Sequence, residues 1–236
     1  MFAVIFLVMP FISSCGKGTN VSPSSLNIQY QIINLSPDLG SVDLYIKFRK
    51  VNSSSYFYPS ASGYFFLTAI DTPFQIRPGS TLNQGTIAPS FNIFNLDNVL
   101  KPNLKYTFMV TGLAKSDSIY GIFTTDTATA PTLGRGKIRF VNASPRSTGF
   151  DVTANGTAAF TNQKYLEVSK FIELPAGSYD FQIFPNGGKT ILKDIPNTII
   201  QDGRLYTLYC YGLAGHTDSL AFGTGMVNNS EPLLGH

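Results

Sequence analysis

The chain has 236 residues, of which 13% are charged, against about a quarter in an ordinary soluble domain. Its 43% apolar content, 19 Phe, 12 Tyr, 21 Gly and 14 Pro describe a turn-rich globular protein and exclude a disordered one. The net charge of +3 is scattered, and the longest basic run, "KFRK" at Lys47–Lys50, is too short to displace counterions from a nucleic acid, so it reads as solvated strand ends.

At the N-terminus, "MFAVIFLVMPFI" is uncharged and apolar. It is shorter than the roughly 20 residues that a membrane-spanning helix needs, and it matches the apolar core of a signal peptide. The run ends in Ile12-Ser13-Ser14-Cys15, which resembles the bacterial lipobox: an aliphatic residue, two small residues and a Cys. The resemblance implies cleavage before Cys15 and a diacylglycerol on its sulfur. One departure is that no Lys or Arg precedes the apolar run. With Cys15 acylated, Cys210 has no disulfide partner. It falls in the strand-like "LYTLYCYGL" and reads as a buried inert thiol. "GKGTNVSPSS" (Gly16 to Ser25) is small and polar and reads as a flexible tether.

Strand signals follow. "VDLYIKF" (Val42 to Phe48) mixes β-branched and aromatic residues. "KIRFV" (Lys137 to Val141) and "SYDFQIF" (Ser178 to Phe184) alternate with the period of two expected of half-buried strands. "NIFNLDNVL" (Asn92 to Leu100) reads as a short strand or one helical turn. "PAG" at Pro175, "NGG" at Asn186 and "QDG" at Gln201 mark turns. No segment has the pattern of an amphipathic helix.

The chain repeats itself. "NLSPDLGSVD" (Asn34 to Asp43) recurs as "NASPRSTGFD" (Asn142 to Asp151), 108 residues on. "LKYTFMVTGLA" (Leu104 to Ala114) recurs as "RLYTLYCYGLA" (Arg204 to Ala214), 100 residues on. Asp117-Ser118 recurs as Asp218-Ser219, 101 residues on. A period near 100 residues is domain-sized and fits a sandwich of about seven strands. The expected division is a signal peptide at 1–14, the lipidated Cys and tether at 15–27, a first sandwich at 28–125, a linker at 126–135, a second sandwich at 136–228 and a tail at 229–236. Residues 132–236 are expected to be soluble alone.

"RFVNASP…FDVTANG", "LPAGSYDFQI" and "LYTLYCYGL", in that order, resemble the bacterial domain-of-unknown-function 4397 family. The likeness covers Gly136 to about Val227. In the first half it is carried at the two ends, while "NSSSYFYPSASGYFFL" departs from the pattern. The resemblance implies an all-β chain of two tandem immunoglobulin-like antiparallel β-sandwiches in a secreted or envelope protein. It supplies no activity and no catalytic residues.

Within the repeated phrase, Asn before Ser-Pro suits a strand exit and Asp a strand start, so the phrase reads as backbone architecture. A duplicated catalytic centre would need a base or a ligand set, and neither copy has a His, a Cys or a second carboxylate nearby. The chain has two His, His216 and His236, and no His, Cys and carboxylate spacing that fits a metal. The expectation is a non-enzyme with no cofactor, no metal and no nucleic-acid partner. It is held by a lipid anchor at the cell envelope, on either face of the outer membrane. Two readings follow. One is a binding or adhesion module for an envelope protein or a glycan. Its contact surface would be Tyr56, Tyr58 and Tyr64 of the aromatic run, unless those rings fill the core. The other is a fimbrial-type subunit that assembles by β-strand addition after cleavage at Arg49-Lys50. "DSI", "DTA" and "DSL" also resemble the O-glycosylation signal of Bacteroidota, which marks Ser118, Thr127 and Ser219.

Overall fold

In the computed structural model, residues 26–79, 91–116 and 118–230 are described. Cys15, the lipobox and the tether lie outside them. The first repeat contains β1 (Asn27–Asn34), β2 (Ser41–Ile46), β3 (Arg49–Lys50), β4 (Tyr56–Phe57), β5 (Ser60–Ala61), β6 (Phe65–Thr68), β7 (Phe74–Pro78), β8 (Phe94–Leu96), β9 (Lys105–Leu113) and β10 (Ser118–Thr125). The second contains β11 (Arg135–Asn142), β12 (Phe150–Ala154), β13 (Thr157–Gln163), β14 (Ile172–Pro175), β15 (Gly177–Pro185), β16 (Lys193–Ile200), β17 (Leu205–Tyr211) and β18 (Gly223–Asn228). The "NIFNLDNVL" stretch resolves as strand β8.

Each repeat folds into two facing sheets, and the pairing is the same in both. One sheet of the first repeat has the order β10-β9-β1 with β5 and β6 on the far side of β1; the other has β3-β2-β7-β8, with β4 also on β2. In the second repeat the orders are β14-β11-β17-β18 and β13-β12-β15-β16. The chain is thus two tandem immunoglobulin-like β-sandwiches. The sheets are not wholly antiparallel. The opening strand of each repeat runs parallel to its closing strand: β1 beside β9, with Tyr30 opposite Tyr106, and β11 beside β17, with Ile138 opposite Tyr206. Between the two strands the chain crosses to the other sheet, returns to the first for β5 and β6 or for β14, and crosses again before the closing strand runs in the same direction beside the opening one.

Period-two alternation fills the two cores. Ile28, Tyr30, Ile32, Leu44, Phe74 and Phe108 pack in the first, and Ile138, Phe140, Val152, Phe181, Leu208 and Cys210 in the second. The alternate residues of β1, β9, β11 and β17 are buried too, which a lone sandwich does not require. Ile33, Leu35, Met109, Ile122, Val141, Ala143 and Tyr209 form a third apolar cluster, drawn from both repeats. The sheets that hold the opening and closing strands pack back to back along this seam.

Candidate functional site

The repeated phrase is structural in both copies. Asn34 accepts the N–H of Ser36 at 3.2 Å and donates to the carbonyls of Gly40 and Tyr56. Asn142 accepts the N–H of Ser144 at 3.0 Å and donates to Ser147 and to the carbonyl of Gln163. Both Asn side chains are fully buried, where unpaired amides are costly. The Ser of each phrase ties it to the closing phrase: Ser36 donates to the Gly112 carbonyl at 3.0 Å and Ser144 to the Gly212 carbonyl at 2.6 Å. Asp43 accepts from Lys50 and Asn52, and Asp151 from the N–H groups of Asn162 and Gly187. These Asn, Ser and Asp side chains hold turns and neighbouring strands.

At the seam the alternate residues form a closed ring of hydrogen bonds. Arg139 Nε donates to Thr207 Oγ1 at 2.9 Å, and Thr207 donates to Asn229 Oδ1 at 2.7 Å. Asn229 Nδ2 donates to the Tyr64 hydroxyl at 2.8 Å, which donates to Asp126 Oδ2 at 2.7 Å. Arg139 Nη2 closes the ring as an ion pair with Asp126 Oδ1. Thr107 and Thr124 also donate to Asp126, and the Phe171 ring lies against the guanidinium at 4.9 Å. Arg139 and Asp126 are both buried, so the pair is satisfied on all sides, as a buried pair must be. Burial, and then the Asp126 charge, push the Tyr64 hydroxyl well above its ordinary range. Asn229 belongs to this ring and not to a tail.

The three tyrosines of the expected contact surface are half-buried, each with a partner in the fold. Tyr56 packs against the first core. The Tyr58 ring meets the Tyr211 ring edge-on at 5.6 Å, across the two repeats. Tyr64 is held in the ring. The exposed rings of the run are Phe57 and Phe66, because alternation in β4 and β6 turns them outward. Of the marked hydroxyls, Ser219 is exposed in the turn before β18, and Ser118 opens strand β10. Thr127 is exposed, but it accepts the N–H of Lys105, and the Asp of its signal is the buried Asp126. Cys210 is buried, and burial raises its thiol far above the ordinary range. His216 is exposed, 3.5 Å from Asp218. Among the described residues no three His, Cys, Asp or Glu side chains are grouped as a metal site.

A cleft of about 360 Å³ opens on the second repeat, and its walls include Asp151, Thr153, Thr161, Phe184, Gly188 and Lys189. It sits where β12 and β13 slip register between Val152 and Thr153. The buried Thr153 hydroxyl has no hydrogen-bond partner. The two sides of this site lie on strands and a turn spread from 151 to 189, a pattern no short motif in the sequence announces.

The repeat-on-repeat pairing and the ring define a class: a double β-sandwich whose halves are joined face to face through a buried polar seam. The chain belongs to the family described as Domain of unknown function (DUF4397), whose model matches residues 29–147 and 136–229. The first repeat is matched across its aromatic insertion as well as at its ends. No curated protein matches the chain. Among solved structures, it is similar to the Bacillus anthracis TIE protein at 9% identity and TM-score 0.26, covering 79% of this chain and 34% of that one. It is similar to a leucine-rich repeat protein from Bacteroides thetaiotaomicron at 15% identity and TM-score 0.18, covering 77% of this chain and 25% of that one. A candidate cell adhesion protein from Bacteroides eggerthii is matched at 10% identity and TM-score 0.21, over 89% of this chain and 97% of that one. The chain therefore spans about a third and a quarter of the first two proteins.

Proposed function

We propose that the protein is a non-enzymatic, lipid-anchored envelope protein that binds a sugar unit of an envelope glycan in the cleft of its second sandwich. The lipobox ending at Cys15 supports the anchor and the outer-membrane location. The cleft is the observation that carries the binding role. Its volume of about 360 Å³ falls in the range of ligand pockets, roughly 300–1,000 Å³. The rings of Phe160 and Phe184, two hydroxyls, a carboxylate and an ammonium line it, which suits a ligand with one apolar face and a hydroxylated rim.

The fimbrial reading meets an obstacle. Cleavage at Arg49-Lys50 would have to free β1, which is hydrogen-bonded on both sides, to β9 and to β5 and β6. A strand held at the centre of a sheet is a poor candidate for release.

The test is an array of envelope glycans probed with the chain from Gly16 onward. Glycan capture is expected, and Phe184→Ala with Lys189→Ala should weaken it at least tenfold while leaving circular dichroism unchanged. Capture that both substitutions leave intact rules the cleft out. The anchor is tested separately in the native host, where Cys15→Ala should abolish palmitate labelling.

A further inference from the structure

We infer that the pole of the first sandwich at which the described chain begins is a phospholipid-apposed surface, with apolar side chains that enter the headgroup layer. The inference rests on the lipid-anchored reading and adds a second contact that does not depend on acylation.

Four segments meet at this pole. β1 starts there at Asn27, and β2 runs back to end there at Ile46. The Ala69 N–H donates to the Leu26 carbonyl at 2.8 Å, and the Leu100 N–H donates to the Ala69 carbonyl at 3.3 Å. The Lys47 N–H donates to the Pro73 carbonyl at 3.1 Å, and Lys47 Nζ pairs with Asp71 at 2.6 Å. The start of β1, the β2–β3 tip and the loops after β6 and β8 are therefore neighbours.

Each of the four presents a large apolar side chain to solvent: Leu26 (39% exposed), Phe48 (65%), Ile70 (50%) and Val99 (59%). Single exposed apolar residues are ordinary, but four on four separate segments at one pole mark an interaction surface. The second sandwich adds to it. Arg139 in its first strand, β11, donates to the Thr125 carbonyl at the end of β10, and Leu133, just before β11, is 92% exposed. At the opposite pole the turns Arg146–Ser147 and Gly215–Ser219 are polar, although Phe57, opposite Ser41 at the start of β2, is exposed there.

The sequence says what covers the surface. Ten residues, Gly16 to Ser25, separate Cys15 from Leu26. Fully extended they reach about 35 Å at most, so an acylated Cys15 attaches the chain to the bilayer from this pole and keeps it within that distance. Lys47, Arg49 and Lys101 flank the apolar residues, with Asp71 and Asp97 as nearby carboxylates and Asp71 already paired with Lys47; beside Leu133, Glu173 pairs with Lys137 and Asp202 accepts the Gly134 and Arg135 N–H groups. One ring, Phe48, and four aliphatic chains with cations near them suit the boundary between headgroups and acyl chains.

The chain from Gly16 onward, which lacks the acylated Cys, is mixed with vesicles of phosphatidylethanolamine and phosphatidylglycerol and floated on a density gradient. The protein is expected to float with the vesicles. The double substitution Phe48→Ser and Val99→Ser is expected to lower the bound fraction about tenfold or more, since each side chain loses its share of apolar burial. Both positions are exposed, so folding is retained. The chain has no Trp, so Phe48→Trp places a single reporter at the tip. Its emission should shift to the blue with vesicles and be quenched by brominated acyl chains. No flotation together with unshifted emission overturns the inference. So does a stable dimer without lipid that Phe48→Ser dissolves, because a second copy would then be what covers the pole. Flotation of vesicles made only with lipopolysaccharide would overturn the phospholipid assignment. If Cys15→Ala abolishes labelling in the host and flotation still fails, the anchor stands and this surface falls.

Discussion

Arg139 sits in "KIRFV", where alternation places Ile138 and Phe140 in the core and would send Arg139 to solvent. The second sandwich instead lies against the first, and Arg139 meets Asp126 with both side chains buried. Removing one partner strands a charge away from water. Asp126→Ala or Arg139→Ala should each cost about 3–5 kcal/mol, while Arg139→Met with Asp126→Leu should restore much of it. Urea unfolding of the three variants decides this; a single-variant loss under about 1 kcal/mol would show the pair to be dispensable. Asp43 makes a second, pH-dependent case. Burial raises its carboxyl, but hydrogen bonds from Lys50, Ser55 and Asn52, with the Lys50 charge, outweigh burial and hold it below the ordinary carboxylate value. A depressed folded value means that its stabilisation is present above the ordinary value of about 3.9 and is lost as pH falls through the folded one. Lys50→Met should therefore be less stable than the native chain at pH 7. The gap should close in acid, where Asp43 is protonated in both; a gap that is constant across pH would assign the loss to packing.

At the scale of the element, each repeat has a Ser-to-Gly hydrogen bond between its opening and closing phrases, joined in the first repeat by the Ala114 N–H donating to Asp38 and in the second by the Cys210 thiol donating to Asn142. Gly212 has φ of +70°, and a Cβ there would come within 2.2 Å of the Ala221 carbonyl oxygen. Ser144→Ala removes a single hydrogen bond and leaves the Gly212 carbonyl unpaired, a cost of about 1–3 kcal/mol. Gly212→Ala should cost more, since it adds left-handed strain and a backbone clash. Thermal midpoints that rank the two the other way would refute this account. The strands and their repetition were legible in the sequence, because alternation, turn residues and the duplicated phrases all act over short range. The parallel pairing of β1 with β9 was not, since it joins Tyr30 to Tyr106 through contacts that no local pattern encodes. The tyrosines show the same limit. Tyr64 looks like a free aromatic until folding brings Asp126 and Asn229 to it, from 62 and 165 residues away. The cleft was illegible for a like reason: its walls are separate strands and a turn.

For the whole molecule, the seam decides whether the two sandwiches behave as one unit. The expectation from the repeat alone was that residues 132–236 would be soluble by themselves. In the folded chain, that piece contributes Val141, Ala143 and Tyr209 to the seam, and its Arg139 takes the Asp126 carboxylate from outside the piece. Cut free, it would expose an apolar patch and lose the partner of a buried cation. The second core is complete within the piece, so it should still give a strand-rich circular dichroism spectrum. It should also be less stable than the same sandwich in the intact chain, and it should self-associate through the uncovered sheet. The intact chain, by contrast, should unfold in one cooperative transition, with calorimetric and van't Hoff enthalpies equal, because opening either half exposes the seam of the other. Two separate transitions in the intact chain, or a fragment that is monomeric and as stable as the whole, would show that the seam couples nothing.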